Sequence, residues 1–199
     1  MKKENSYSMK ETVQIGDEGM GIVRSFLEQH PSHIEFINVE KNEAYQKIDI
    51  DFLWTYMLNG KVVQSTCELK TDTYTTQNLF FETHSNLTKG TPGCFMYTEA
   101  TYLFYYYINK GELYIMHTNT VREWFKVNID RFQEKFLNTK SNQSDEKYYR
   151  SAGRLVPIPV LLSECGESIY CFKLSRHGFD KSYINLNPNH WKQKIKKAG

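Results

Sequence analysis

The chain has 199 residues, 40% of them hydrophobic and 15% aromatic, with 25 Lys and Arg against 23 Asp and Glu. That is enough apolar surface for the core of one domain, and it excludes a disordered chain. A net charge of +2 gives no whole-protein field that would select a polyanion, so any nucleic-acid contact must come from a local patch.

Residues 1–14 read as a polar leader, basic but without the apolar run of a signal peptide. In "GDEGMGIVRSFLEQH" the spacing of Met20, Ile22, Val23, Phe26 and Leu27 predicts an amphipathic helix, with Glu18 on its inward face and Glu28 on its outer one. Its internal glycines weaken it by roughly 1 kcal/mol each. "HIEFINVE" (33–40), "KIDIDFLWTYML" (47–58) and "KVVQSTCELK" (61–70) read as strands, the last two joined by Asn59-Gly60, the dipeptide of a type I′ hairpin turn. Residues 71–95 read as a loop with a short strand at 79–82. "YTEATYLFYYYINKG" (97–111) reads as a helix running from the capping Thr98 to Gly111, and "ELYIMHT" (112–118) as a strand. Residues 119–137 look helical with a break near Asn128, 140–154 are a polar loop, 155–162 an extended edge limited by its prolines, and 169–174 a strand. The resulting organisation is one domain over 15–175 and a basic tail over 176–199.

No apolar stretch is long enough to span a bilayer, so no membrane partner is expected. Cys67, Cys94, Cys165 and Cys171 form no CxxC pair and no zinc-site spacing, and read as buried free thiols of a reducing cytoplasm. The P-loop, GxGxxG, HExxH and GxSxG motifs are missing, which removes the usual support for ATPase, dinucleotide oxidoreductase, zincin and hydrolase-elbow chemistry.

The informative stretch is "STCELKTDTY". On a strand Glu68 and Lys70 point to the same face. Counted back from the Asn59-Gly60 turn, Leu58 faces Lys61, Asp51 faces Glu68 and Asp49 faces Lys70. Carboxylates directly opposite each other repel and weaken a sheet, and a divalent cation between them removes the conflict. Such an ion lowers the pKa of water and neutralises phosphoryl charge, and a neighbouring lysine orients the water or stabilises developing charge. Two acids, a lysine and an ion make a phosphodiester-cleaving centre. Taken alone, Glu68 and Lys70 read first as a solvated ion pair worth about 0–1 kcal/mol; Asp51 in register and an acid on the first helix turn the balance to the functional reading.

With "IDF" at Asp51 followed by "ELK" at 68–70, the sequence resembles the PD-(D/E)XK nuclease superfamily, and more narrowly small nuclease-like proteins of phages and bacteria. The resemblance covers roughly residues 15–125 and includes Glu18, Asp51, "ELKTD" with Asp72, "NLFFE" with Asn78 and Glu82, and the aromatic "EATYLFYYY". It implies an α/β fold: a three-layer α/β/α sandwich with a central mixed sheet, restriction-endonuclease-like. It implies a Mg²⁺- or Mn²⁺-dependent deoxyribonuclease, an endonuclease-type hydrolase in the cytoplasm of a bacterium or phage-infected cell. By carry-over, Asp51, Glu68 and the Leu69 carbonyl hold the metal, Lys70 positions the attacking water, and Glu18 holds a metal-bound water or a second ion. The doubled acid of "DID" departs from the family pattern. The register and the "IDF" match favour Asp51, leaving Asp49 to pair with Lys70 or to assist from behind.

Other residues carry two open readings. Asp72 is a supporting acid or a turn residue, and Asn78 and Glu82 lie near the scissile phosphate or simply on a strand with buried Leu79 and Phe81. Tyr102 to Tyr107 read mainly as core. Lys147, Arg150 and Arg154, and in the tail Lys192, Lys194 and Lys196 beside Trp191, are phosphate-contact candidates or solvated charges. The expected partner is nucleic acid, DNA above RNA, with homodimerisation plausible for cutting two strands. The alternatives are a non-cleaving nucleic-acid-binding module on the same fold and an RNA-directed nuclease.

Overall fold

A computed structural model describes residues 9–140 and 148–173. The elements are α1 (Met9–Glu28), β1 (His33–Asn38), α2 (Glu43–Gln46), β2 (Phe52–Leu58), β3 (Lys61–Asp72), β4 (Asn78–Asn86), β5 (Thr91–Pro92), α3 (Cys94–Tyr97), β6 (Tyr102–Tyr107), β7 (Glu112–His117), α4 (Thr118–Asn128), β8 (Gln133–Lys140), β9 (Tyr148–Pro157), α5 (Ile158–Cys165) and β10 (Ile169–Lys173). The chain is mixed α/β. A six-stranded sheet runs in the order β1-β2-β3-β6-β7-β10, and a four-stranded sheet in the order β5-β4-β9-β8. The larger sheet is mixed, with β3 parallel to β6 and its other neighbours antiparallel. No helix among the described residues is long and apolar enough to cross a membrane.

The hairpin follows the turn chemistry. Asn59 and Gly60 both have positive φ (51° and 76°), as a type I′ turn demands, and the ladder runs from Leu58↔Lys61 to Phe52↔Cys67 in the expected register. Alternation along β3 then sends Cys67 and Leu69 to one face of the sheet and Glu68 and Lys70 to the other. On the first face α1 packs Met20, Val23, Phe26 and Leu27 against Cys67, Phe104 and Tyr106. On the second, α4, α5 and the four-stranded sheet bury Val121, Phe125, Leu161, Leu79 and Phe81 against Leu103, Tyr105 and Tyr107.

Several expected elements differ. Residues 97–111 are not a helix: 102–107 form β6, in the middle of the larger sheet. A strand buried on both faces reads as an unbroken apolar run, which periodicity alone does not separate from a helix. Aromatic side chains favour the strand, and Leu103, Tyr105 and Tyr107 feed one core while Phe104 and Tyr106 feed the other. Residues 9–14 of the expected leader belong to α1. The loop at 71–95 holds the nine-residue β4. The break near Asn128 is present, but β8 follows it where helix was expected. The polar loop of 140–154 gives way to β9 from Tyr148. Beyond Pro157 the extended edge is α5, whose early proline sits where a helix needs no N–H. The tail, with Lys192, Lys194 and Lys196, and Lys147 lie outside the described residues.

Candidate metal and phosphoryl-transfer site

The site lies where β2 stops and β3 runs on. Asp49 takes a left-handed backbone (φ 55°), which Asp tolerates and which ends the strand before Phe52. The expected direct pairing of Asp49 with Lys70 is therefore not made: Asp49 sits on a turn after the short α2, not on the ladder. Asp51 also leaves the one-for-one register, because its N–H donates to the Cys67 carbonyl at 2.9 Å. Its Oδ2 accepts from the Leu69 N–H at 2.8 Å, taking the place of a missing ladder partner, and its carboxyl hydrogen-bonds to that of Glu68. In a strand the N–H and C=O of one residue point to the same edge, so the Leu69 carbonyl opens towards Asp51 as well.

A third wall comes from the long excursion between the parallel strands β3 and β6. There α3 presents Cys94 and Tyr97. Tyr97 donates through its hydroxyl to Asp49 Oδ1 at 3.2 Å, and the Thr98 hydroxyl donates to the Asp49 carbonyl at 2.6 Å. The Cys94 N–H donates to Glu82 Oε2 of β4 at 3.3 Å. Arg122 of α4 holds the end of α3, donating to the carbonyls of Phe95 at 2.8 Å and Thr98 at 2.5 Å. These carbonyls are among those a helix end leaves unpaired. Gly93 is where α3 meets β4: a Cβ there would stand 2.5 Å from the Glu82 carbonyl oxygen.

The result is a concentration of acid. One ligand atom from each of Asp49, Glu68 and Cys94 lies within 4.8 Å of the other two. Glu68 is 7% exposed, and its Oε2, like Oδ2 of Asp49, is buried without a hydrogen-bond partner. Burial, followed by the charges of Asp51 and Asp49, lifts the Glu68 carboxyl well above the usual range. Burial raises Asp51 to about 6 despite the Leu69 N–H, and raises Asp49 despite the Tyr97 hydrogen bond. Burial pushes the Cys94 thiol up, with Lys70 pulling the other way. Burial works against the Lys70 ammonium, yet Cys94, Glu82, Asp72 and Glu68 surround it and the balance is a raised pKa, so it stays cationic. Without a cation, then, burial shifts each of these carboxyls towards its protonated form relative to an exposed one.

Of the other expected residues, Asp72 shares the face of Glu68 and Lys70. Its Oδ2 accepts from the Tyr105 hydroxyl at 2.5 Å and its Oδ1 from the Tyr74 N–H at 2.7 Å, so it is both turn residue and half-buried support. Glu82 is brought to the cluster. Asn78 sits at the start of β4, its carbonyl accepting from the Tyr107 hydroxyl. Glu18 is exposed, not inward. The buried stripe of α1 runs through Gly19, Met20, Val23, Phe26 and Leu27, which leaves Glu18 at its border, and α1 lies across the sheet from Glu68 and Lys70. Arg154 is an internal tie, donating to the Phe132 carbonyl at 3.1 Å and pairing with Glu134 at 3.5 Å, and Arg150 lies over the Phe136 ring. Sequence reasoning missed Cys94 and Tyr97. Their only local signal is "TPGCFMYT", where Pro-Gly announces a turn but not where it leads.

Compared with known families, with curated proteins and with solved structures, the chain matches none.

Proposed function

We propose that the chain is a Mg²⁺- or Mn²⁺-dependent nuclease that hydrolyses DNA phosphodiester bonds, on a restriction-endonuclease-like version of its α/β fold. The observation that carries this reading is the convergence of Asp49, Asp51 and Glu68 beside Lys70, with buried oxygens of Asp49 and Glu68 left without partners. Orphaned buried carboxylate oxygens cost stability unless a cation meets them, so the residues present fit a hard divalent ion. Glu68, Asp51 and the Leu69 carbonyl would hold it, with Asp49 completing the set. Such an ion supplies charge neutralisation at the phosphoryl oxygens and a more acidic water.

The protein's part is positioning. Tyr97 and the Leu69 N–H fix the carboxyl groups of Asp49 and Asp51 from behind, so little rearrangement is needed when substrate arrives. Lys70, cationic among the acids, orients the attacking water and meets the negative charge that grows on the phosphate. The surrounding acids favour the charged form of this lysine, which keeps it available for that role. The basic tail would follow the DNA backbone, and two copies would cut two strands.

The test is a panel of labelled substrates, linear duplex, single strand, flap, four-way junction and RNA, each with Mg²⁺, with Mn²⁺ and with EDTA. Cleavage of DNA with either ion and none in EDTA is the expected result. DNA binding without cleavage under every condition would replace the reading with a non-cleaving binding module, and cleavage confined to RNA would redirect it.

A further inference from the structure

Mg²⁺ takes oxygen ligands and has no use for a thiol. Yet Cys94 offers its sulfur to the same point as Asp49 and Glu68, within 4.8 Å of both. Each of the three residues makes one further hydrogen bond. Tyr97 occupies Asp49 Oδ1, Asp51 binds the Glu68 carboxyl, and Glu82 accepts from the Cys94 N–H. What remains free is Oδ2 of Asp49 and Oε2 of Glu68, both buried and without a partner. A sulfur and two carboxylate oxygens round a tetrahedral ion would stand about 3.5 Å apart, given bonds of about 2.3 and 2.0 Å, so small side-chain rotations close the set. Thiolate with carboxylate is a donor set for a borderline ion rather than a hard one.

We propose that Asp49, Glu68 and Cys94 form a binding site for a thiophilic divalent cation, Zn²⁺ above all, with water as the fourth ligand. On binding, the Cys94 thiol gives its proton to solvent and the sulfur bonds the ion, with no change of oxidation state. The zinc site stands on its own geometry. Its consequence rests on the nuclease reading: Glu68 and Asp49 belong to both sites, so Zn²⁺ displaces the hard ion and silences cleavage.

The test uses the full chain, reduced, with Co²⁺ as the spectroscopic probe and Zn²⁺ as competitor. One equivalent of Co²⁺ is expected to give thiolate-to-cobalt charge-transfer absorption in the near ultraviolet, which Zn²⁺ abolishes and Cys94→Ser lacks. Asp49→Asn, which keeps the thiol, should weaken Zn²⁺ binding at least about 10-fold, with circular dichroism showing both variants folded. No such absorption in the wild type, or equal absorption in Cys94→Ser from another cysteine, overturns the site. Mg²⁺-dependent cleavage by the wild type is read alongside. Cleavage without the cobalt signal removes only the zinc site, and the cobalt signal without cleavage upholds the zinc site and removes only the nuclease.

Discussion

Asp51 carries a carboxyl that burial has raised from 3.8 to about 6, against the pull of the Leu69 N–H. In the absence of metal the folded chain keeps this proton where the unfolded chain has lost it. The stabilising contribution is therefore full below about pH 4 and falls as pH rises through about 6, by up to about 3 kcal/mol for this group alone. Glu68, raised further by burial and by Asp51, extends the loss to higher pH. Asp51→Asn keeps an acceptor for the Leu69 N–H and removes one charge. Urea unfolding in EDTA from about pH 4 to 7 should show a clearly flatter decline for the variant than for the wild type; equal slopes would mean that the carboxyls do not share their burial. At this scale the sequence was legible where turn chemistry governs. Asn59-Gly60 set the register that brings Glu68 to the end of β2. It was not legible at Asp49, whose left-handed backbone depends on tertiary bonds from Tyr97 and Thr98 that no local spacing reveals.

At the scale of elements, α1 shows what a glycine inside a helix is for. Gly19 lies so close to β3 that a Cβ would stand 2.1 Å from Thr71 Oγ1 and 2.9 Å from its Cβ. The helical cost of the glycine is offset by a close approach of helix to sheet. Gly19→Ala should destabilise the chain by roughly 1–3 kcal/mol through overpacking, although alanine is the better helix former. Thr71→Ala in the same chain should restore part of that loss, since it removes two of the three colliding atoms but not the Cβ. A double-mutant cycle by chemical denaturation measures the coupling, and additive losses would contradict the close approach. The same physics hid β6. Its side chains are apolar on both sides because both sides are core, and a pattern with no polar face gives no period to read. The excursion from β4 to α3 was hidden for a different reason: its contribution to the site lies in where the chain returns, and β4 pairs with β9, far along the sequence.

Over the whole molecule, the two sheets divide the work. The six-stranded sheet, backed by α1, fixes Glu68, Lys70 and Asp72 on one rigid strand. The four-stranded sheet and α4 press α3 onto that strand, with Phe81 stacked on Phe95 at 3.9 Å and Phe125 edge-on to both. Conflicting charges are thus enforced by packing that has nothing to do with them, which is the expected signature of a functional site in an otherwise consistent fold. The α/β class and the Asp51–Glu68–Lys70 set could be read from the sequence because they depend on local pattern. The second sheet and the role of α3 could not, because they depend on pairings between distant segments.

The central claim is that Glu68 and Lys70 act on a phosphodiester rather than merely surviving in a crowded core. The most direct measurement is single-turnover cleavage of the preferred DNA by wild type, Glu68→Gln and Lys70→Met at saturating protein, with DNA affinity and circular dichroism recorded for each. Retained fold and affinity with cleavage reduced at least about 100-fold in both variants is the predicted result, consistent with the loss of an electrostatic or acid–base contributor. Cleavage at the wild-type rate in either folded variant would contradict the account.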